Sequence, residues 1–266
     1  MKPTHLAPDG AFSERPVTVS TPDESVYQAS NLTMDQLLFW TGQQLQQDEA
    51  LFQMGGLCTI GGPVDTSHFQ AAFQGVIDRC DALRTVIEVH DGIPRRKVRE
   101  TCQYEMHCVD FSEEVNPREA AMKWASSRIR KPLDLAVCMF DSALAKLSKR
   151  EYAWHYCMHH LICDAWSLSL ILERVAAAYR LSLDGRLAEL GTYPAFAEYI
   201  DFERAYHDSE RYAEAEAYWS RRMSGAASLS FLGSIARPNT TEVERISCQL
   251  SSSIVEALSG QINRQS

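Results

Sequence analysis

Residues 151–167 read EYAWHYCMHHLICDAWS, and this stretch decides the fold. Its first ten residues are rich in aromatics and follow the charged pair Lys149-Arg150, a pattern that predicts a strand. Downstream, Leu168, Ile171, Leu172, Val175, Ala176 and Tyr179 recur at the spacing of one helix face, which predicts a helix over 166–183. His159, His160 and Asp164 therefore fall at a strand-to-helix junction, a place where side chains can be presented to a ligand.

Residue chemistry leaves several readings of that junction open. Asp164 suits a helix N-cap, its carboxylate accepting backbone N–H bonds from the first turn. Strand alternation puts His160 on one face with Trp154, Tyr156 and Met158, either as a satisfied core histidine or as an acid–base group. His155, Cys157 and His159 share the opposite face, but a metal would need a fourth ligand and a second shell, so no metal site is expected. Cys163, inside the turn, raises a Cys–His nucleophile pair with His159 or His160 as a minor alternative.

Outward from the junction, strands and helices alternate. Residues 34–47 read as a helix and 51–60 as a strand ending at Gly61-Gly62-Pro63. Asp65-Thr66-Ser67 resembles a helix start, with Phe69, Ala72, Phe73, Val76 and Ile77 as its apolar stripe. Strands are expected at 83–89 and 96–98 around a hairpin-like Asp91-Gly92 turn. Pro117 opens a helix to about residue 130, and 137–147 reads as another strand. Helices are expected over 193–208 and 209–223, with most of their Tyr and Phe in the core and some available to a partner. This alternation predicts an α/β sandwich, with helices covering a mixed sheet.

Composition fits a protein with a sizeable core: 266 residues, 45% hydrophobic and 23% charged. A net charge of −9 with no basic stripe argues against nucleic acid or an anionic membrane surface as partner. No run of 18 apolar residues predicts a membrane-spanning helix, and the first residues lack the apolar core of a secretory signal. The eight cysteines contain no C-x-x-C pair and read as reduced, mostly buried thiols of a cytoplasmic protein.

Five ordered landmarks carry a resemblance. His159-His160-Leu161-Ile162-Cys163-Asp164-Ala165 resembles the His-His-x-x-x-Asp-Gly motif of the condensation domains of nonribosomal peptide synthetases, members of the chloramphenicol acetyltransferase-like superfamily. Residues 32–40, Leu-Thr-Met-Asp-Gln-Leu-Leu-Phe-Trp, look like the opening motif of that family. Arg79-Cys80-Asp81-Ala82-Leu83-Arg84-Thr85 resembles its Arg-His-Glu-x-Leu-Arg-Thr motif. Lys131-Pro132-Leu133-Asp134-Leu135 is similar to its Pro-Phe-Asp-Leu signature, and residues 193–199 with Tyr218-Trp219 match its fourth motif region. Two positions depart: Ala165 stands for Gly, adding a methyl where Gly lets a substrate approach closely, and Cys80 stands for His.

The resemblance implies a chloramphenicol acetyltransferase-like two-layer sandwich, one half of a pseudo-dimer whose active-site tunnel lies between the halves. It implies an N-terminal condensation subdomain over 29–223 and a connector with the truncated start of the second subdomain over 224–266; residues 1–28, rich in Pro, Ser, Thr and charge, read as a mobile or loosely docked leader. The connector would fill 224–239, the next strand 242–250 and a helix 251–262. His160 is then the catalytic residue, deprotonating or orienting an amine that attacks an acyl thioester. His159, Asp164, Ala165, Trp166 and Ser167 support it, and Asp164 is expected in a structural ion pair with Arg84.

The implied activity is amide formation by an acyltransferase belonging to a longer synthetase. No bound cofactor is implied, since substrates would arrive on the phosphopantetheine of carrier domains; those domains and adjacent synthetase modules are the implied partners. A heterocyclising subtype is disfavoured, because that subclass replaces the first two histidines with Asp. Two alternatives stay open: acyl transfer to a hydroxyl or small soluble acceptor, and an inactive half-domain acting as a docking scaffold.

Overall fold

The computed structural model describes residues 24–224 and 248–265, which fall into two compact units dividing near residue 226. Residues 24–28, at the end of the expected leader, are structured. Glu24–Ala29 forms α1, with Tyr27 only 1% exposed. Arg204 clamps this segment, donating from Nη2 to the carbonyls of Tyr27 at 3.2 Å and Ser30 at 2.6 Å. The Tyr27 ring and its carbonyl hold this segment on the folded body, and residues 1–23 lie outside the described residues.

Thr33 starts α2, Met34–Leu45, through a capping box in which its hydroxyl accepts from the Gln36 N–H and the Gln36 side chain accepts from the Thr33 N–H. β1, Gln53–Gly61, follows, and Asp65 caps α3, Thr66–Arg79, as its sequence predicted. β2, Thr85–His90, and β3, Ile93–Val98, form a separate hairpin. Its turn residues Asp91 and Gly92 have φ of 52° and 79°, the left-handed pair that a two-residue hairpin loop requires.

A short strand, β4 (His107–Asp110), was not visible in the sequence. The extended chain leading into it pairs with side chains instead of a neighbouring strand. Gln70 and Gln74, one turn apart on α3, exchange hydrogen bonds with the backbone of Tyr104, Met106 and Cys102. Then come α4 (Pro117–Ile129), β5 (Phe140–Ser148), β6 (Glu151–His159) and α5 (Ala165–Leu183). The four-stranded sheet runs β1-β6-β5-β4, antiparallel except for the parallel β4–β5 pair.

Alternation along β6 sorts the packing. Trp154 meets Phe69 and Phe73 of α3 at ring separations of 5.4 and 5.9 Å, and its indole N–H donates to Ser142 Oγ at 2.7 Å. Phe73 is fully buried there, a burial contributing roughly 1.5–3 kcal/mol. His155, on the other face, packs against Trp124 of α4. α4 comes so close to β1 that a Cβ at Gly55 would lie 2.7 Å from Ile129 Cγ1, so glycine is needed. α3 packs on α5, whose buried residues are Ile171, Val175 and Ala178. Ala176, expected on that stripe, is exposed because the 3.6-residue period brings Ala178 inward.

α6 (Phe196–His207) and α7 (Glu210–Met223) complete the first unit. The aromatics expected in the core there are largely outside: Tyr199, Phe202, Tyr218 and Trp219 are all more than half exposed. α6 buries only Ile200 and α7 buries nothing. The cysteines are all free, but only Cys157 and Cys163 are buried. Cys58, Cys80, Cys102 and Cys138 are half-buried against the core, and Cys108 and Cys248 are exposed. In the second unit Ser252–Gln265 forms α8, and residues 248–250 have no regular structure. The rest of the strand expected over 242–250, and the connector beyond Ser224, lie outside the described residues.

Candidate active site

β6 delivers His159 at its last position, and five residues later Asp164 opens α5. His159 is 1% exposed. Its Nδ1 accepts from the Leu161 N–H at 3.1 Å, which leaves the proton on Nε2, 3.4 Å from Gln43 Oε1. Burial, assisted by the neighbouring His160, pushes its pKa down to about 4, so the ring is neutral near pH 7.

His160 sits just past the strand end. Its N–H donates to the Phe52 carbonyl at 2.8 Å, and its imidazole stacks on Phe39, with centroids 5.0 Å apart and planes 19° from parallel. Phe52 meets Phe39 edge-on at 5.2 Å, so the stack is backed by a second ring. Among the described residues neither ring nitrogen of His160 has a hydrogen-bond partner, whereas His155 and His159 are both engaged. The ring is half-buried.

Asp164 does not pair with Arg84. Its Oδ1 accepts from the Ser167 N–H at 2.7 Å, and hydrogen bonding by Ser167 and the helix start holds its carboxyl below the usual range. Arg84 instead donates to three carbonyls: Ile77 at 3.2 Å, Arg99 at 2.5 Å and Glu100 at 3.2 Å. Its guanidinium is used to close the β2–β3 hairpin against the end of α3. The acid of the second motif that reaches across the fold is Asp81, whose Oδ2 accepts from the Phe196 N–H at 2.8 Å and pairs with Arg96 at 3.5 Å.

The remaining motif residues line the start of α5. Ala165 is its first residue and is exposed, a position where alanine favours the helix over glycine by about 1 kcal/mol. Trp166 is 75% exposed, and Ser167 serves through its backbone N–H. Cys163 is buried, its Sγ donates to the Asp164 carbonyl, and burial pushes its pKa up to about 12. A thiol so protonated and so partnered is no nucleophile, which removes the Cys–His alternative.

The His155, Cys157 and His159 face is largely engaged as well, although His155 Nδ1 is buried with no hydrogen-bond partner among the described residues. His155 Nε2 lies 3.0 Å from the Asp141 carboxylate, which Arg128 also holds at 2.8 Å from Nε; Cys157 Sγ accepts from Gln53 Nε2 at 3.5 Å. Burial opposes ionisation of Asp141, but the bonds from His155 and Arg128 outweigh it and hold the carboxyl far below its ordinary value. Among the described residues, no group of three or more His, Cys, Asp or Glu is placed to hold a metal. A cleft of about 460 Å³ lies at the start of α4, lined by Asn116 to Glu119 with Leu147 and Glu151, none of them motif residues.

Three side chains around the turn were quoted in the sequence motifs without a role: Gln36, Phe39 and Asp81. Gln36 Nε2 donates to the Leu161 carbonyl at 2.7 Å. The helical spacing of Gln36, Phe39 and Gln43 was the available signal.

The family model named Condensation domain matches residues 27–266. This chain belongs to the condensation-domain family. It is 31% identical over 185 residues to the isonitrile lipopeptide synthase of Streptomyces coeruleorubidus, a match covering 69% of this chain and 13% of that protein. It is 27% identical over 238 residues to the dimodular nonribosomal peptide synthase of Bacillus subtilis strain 168, covering 89% of this chain and 10% of that protein. Among solved structures, it superposes on a variant of the starter condensation domain of rhizomide synthetase in complex with C8-CoA and Leu-SNAC, with a TM-score of 0.73 and 26% identity. That match covers 82% of this chain and 51% of the other. The first condensation domain of the calcium-dependent antibiotic synthetase, solved with a substrate analogue, gives a TM-score of 0.70 and 25% identity over 74% of this chain and 48% of the other. This chain thus spans about half the length of these solved structures and a small part of the curated relatives. The fold is the chloramphenicol acetyltransferase-like one expected, a mixed sheet with helices on its faces. Among the described residues, no helix is long and apolar enough to cross a membrane.

Proposed function

We propose that this chain carries the histidine-bearing half of an amide-forming condensation site, acting within a longer synthetase. The observation that carries the reading is His160: a backbone pinned on the strand end, one ring face covered by Phe39, and two ring nitrogens without a partner among the described residues. In the proposed reaction the amine nitrogen attacks the thioester carbonyl, the C–N bond forms, and the C–S bond breaks to release the carrier thiol. His160 orients the amine, takes up its proton as the bond forms and passes it to the departing sulfur. A neutral amine is already a competent nucleophile, so holding it at reacting distance supplies much of the acceleration.

Donor and acceptor would arrive on the phosphopantetheine arms of carrier domains belonging to adjacent modules. The relatives' names as peptide and lipopeptide synthases support that setting. A second reading of the donor is favoured by one observation: the solved relative at 26% identity holds an eight-carbon acyl-CoA with an aminoacyl thioester. A fatty-acyl thioester donor and an aminoacyl acceptor fit the same chemistry here.

The test is to assay the complete domain, with its second half, against an eight-carbon acyl thioester on carrier protein or on CoA and a leucyl thioester. The expected product is the N-acyl-leucyl thioester, with an equal amount of thiol released. Ester formation with a hydroxyl acceptor, or no product with any donor, would overturn the amide reading.

A further inference from the structure

One face of α2 meets three consecutive residues of the motif turn. Gln36, Phe39 and Gln43 are spaced three and four apart, so their side chains project from the same side of the helix. Gln43 faces His159, Phe39 stacks on His160, and Gln36 holds the carbonyl of Leu161. The helix and the turn run past one another in opposite directions, contact for contact.

Gln36 is the tightest of these links. It is 5% exposed, and its amide is used at both ends: Oε1 accepts from the Thr33 N–H at 3.2 Å while Nε2 donates to Leu161. A buried amide engaged at both ends has one favourable orientation, so the cap of α2 and the motif turn are joined through one rigid group. α2 is itself anchored, since the Met34 N–H donates to Glu203 Oε1 of α6 at 2.7 Å. His160 is therefore held from both sides, by Phe52 at its own N–H and by Gln36 at the next carbonyl. Phe39 then sets the plane of the ring. With one face covered, a substrate can reach only the ring edge and the opposite face.

We infer that α2 is a positioning element for His160, with Gln36 fixing the backbone of the turn and Phe39 fixing the plane of the imidazole. The inference rests on His160 being the catalytic residue, as proposed above; neither Gln36 nor Phe39 touches the reacting atoms. A catalytic group held loosely loses rate out of proportion to any loss of stability, because reacting geometry tolerates little error.

The test uses the complete domain with 13C-labelled histidine, comparing Gln36→Met, Phe39→Leu and Phe39→Tyr. Loss of the stacked ring in Phe39→Leu should move the His160 Hε1 resonance downfield and lower kcat by about tenfold or more with KM little changed. Phe39→Tyr should restore both. Gln36→Met should move the same resonance and lower kcat in the same way. A His160 resonance at its wild-type position in both Gln36→Met and Phe39→Leu, or a wild-type kcat in both, overturns the inference. If Gln36→Met does not fold, the pair at half-buried Phe39 decides alone. His160→Ala separates the two layers: full activity in that variant defeats the functional reading, while the resonance shift still reports on the positioning.

Discussion

The carboxylate of Asp81 accepts the N–H of Phe196 at 2.8 Å, joining the second sequence motif to the start of α6 across 115 residues. α6 has Ala195 at its N-cap position, with no side-chain cap of its own, so Asp81 satisfies a helix-start donor from a distance. The same carboxylate pairs with Arg96, whose side chain is 8% exposed and whose guanidinium lies over the Phe196 ring. One acid thereby ties β3, the motif loop and α6 together.

Replacing Asp81 should expose this link. Asp81→Ala is expected to lower the stability of the chain by about 1–3 kcal/mol, since it leaves a part-buried N–H and a buried guanidinium unpaired. Asp81→Asn should recover part of that loss, because an amide oxygen still accepts from Phe196. Urea unfolding of the three proteins measures it, and an unchanged midpoint in the alanine variant would remove Asp81 from this role.

His159 should make stability depend on pH. Its folded-state value of about 4 lies below that of an unfolded imidazole, so the unfolded chain takes up the proton first as pH falls. The contribution is complete above about pH 6.5 and is lost as pH falls from there towards 4, on the order of 3 kcal/mol in all. Thermal melts between pH 7 and 5 should show a fall in Tm that is shallower in His159→Gln. Parallel slopes in the two proteins would mean that the ring is not held neutral by burial.

Cysteine reactivity should follow exposure. Cys108 and Cys248 are exposed, whereas Cys163 is buried and its thiol is raised to about 12. Brief iodoacetamide treatment of the native chain, read by peptide mass mapping, should label Cys108 and Cys248 and spare Cys163. Fast labelling of Cys163 would show that the motif turn opens or that the thiol is activated.

Much of the site's scaffold was legible from local patterns. The aromatic run before His159 and the apolar stripe from Leu168 mark β6 and α5, and Asp65 and Asp164 cap helices as short acidic side chains before an apolar run do. What escaped depends on contacts distant in sequence. β4 has four residues and an approach held by Gln70 and Gln74, and nothing local in residues 102–110 announces that partnership. Asp81 and Arg84 lie three residues apart in one motif, and only the fold shows that the acid crosses to α6 while the arginine turns to nearby carbonyls. The exposed rings of α6 and α7 look like core by spacing, because periodicity reports one apolar face without saying what covers it.

His160 acts on the amine while His159 holds the turn. Single-turnover acyl transfer from a carrier-bound thioester separates the two roles, using the complete domain and its His160→Ala variant at matched folded concentration. The rate of amide formation should fall by about 10²–10⁴-fold, the usual range for loss of an acid–base group, with thioester binding retained. A variant that forms amide at the wild-type rate would contradict this assignment.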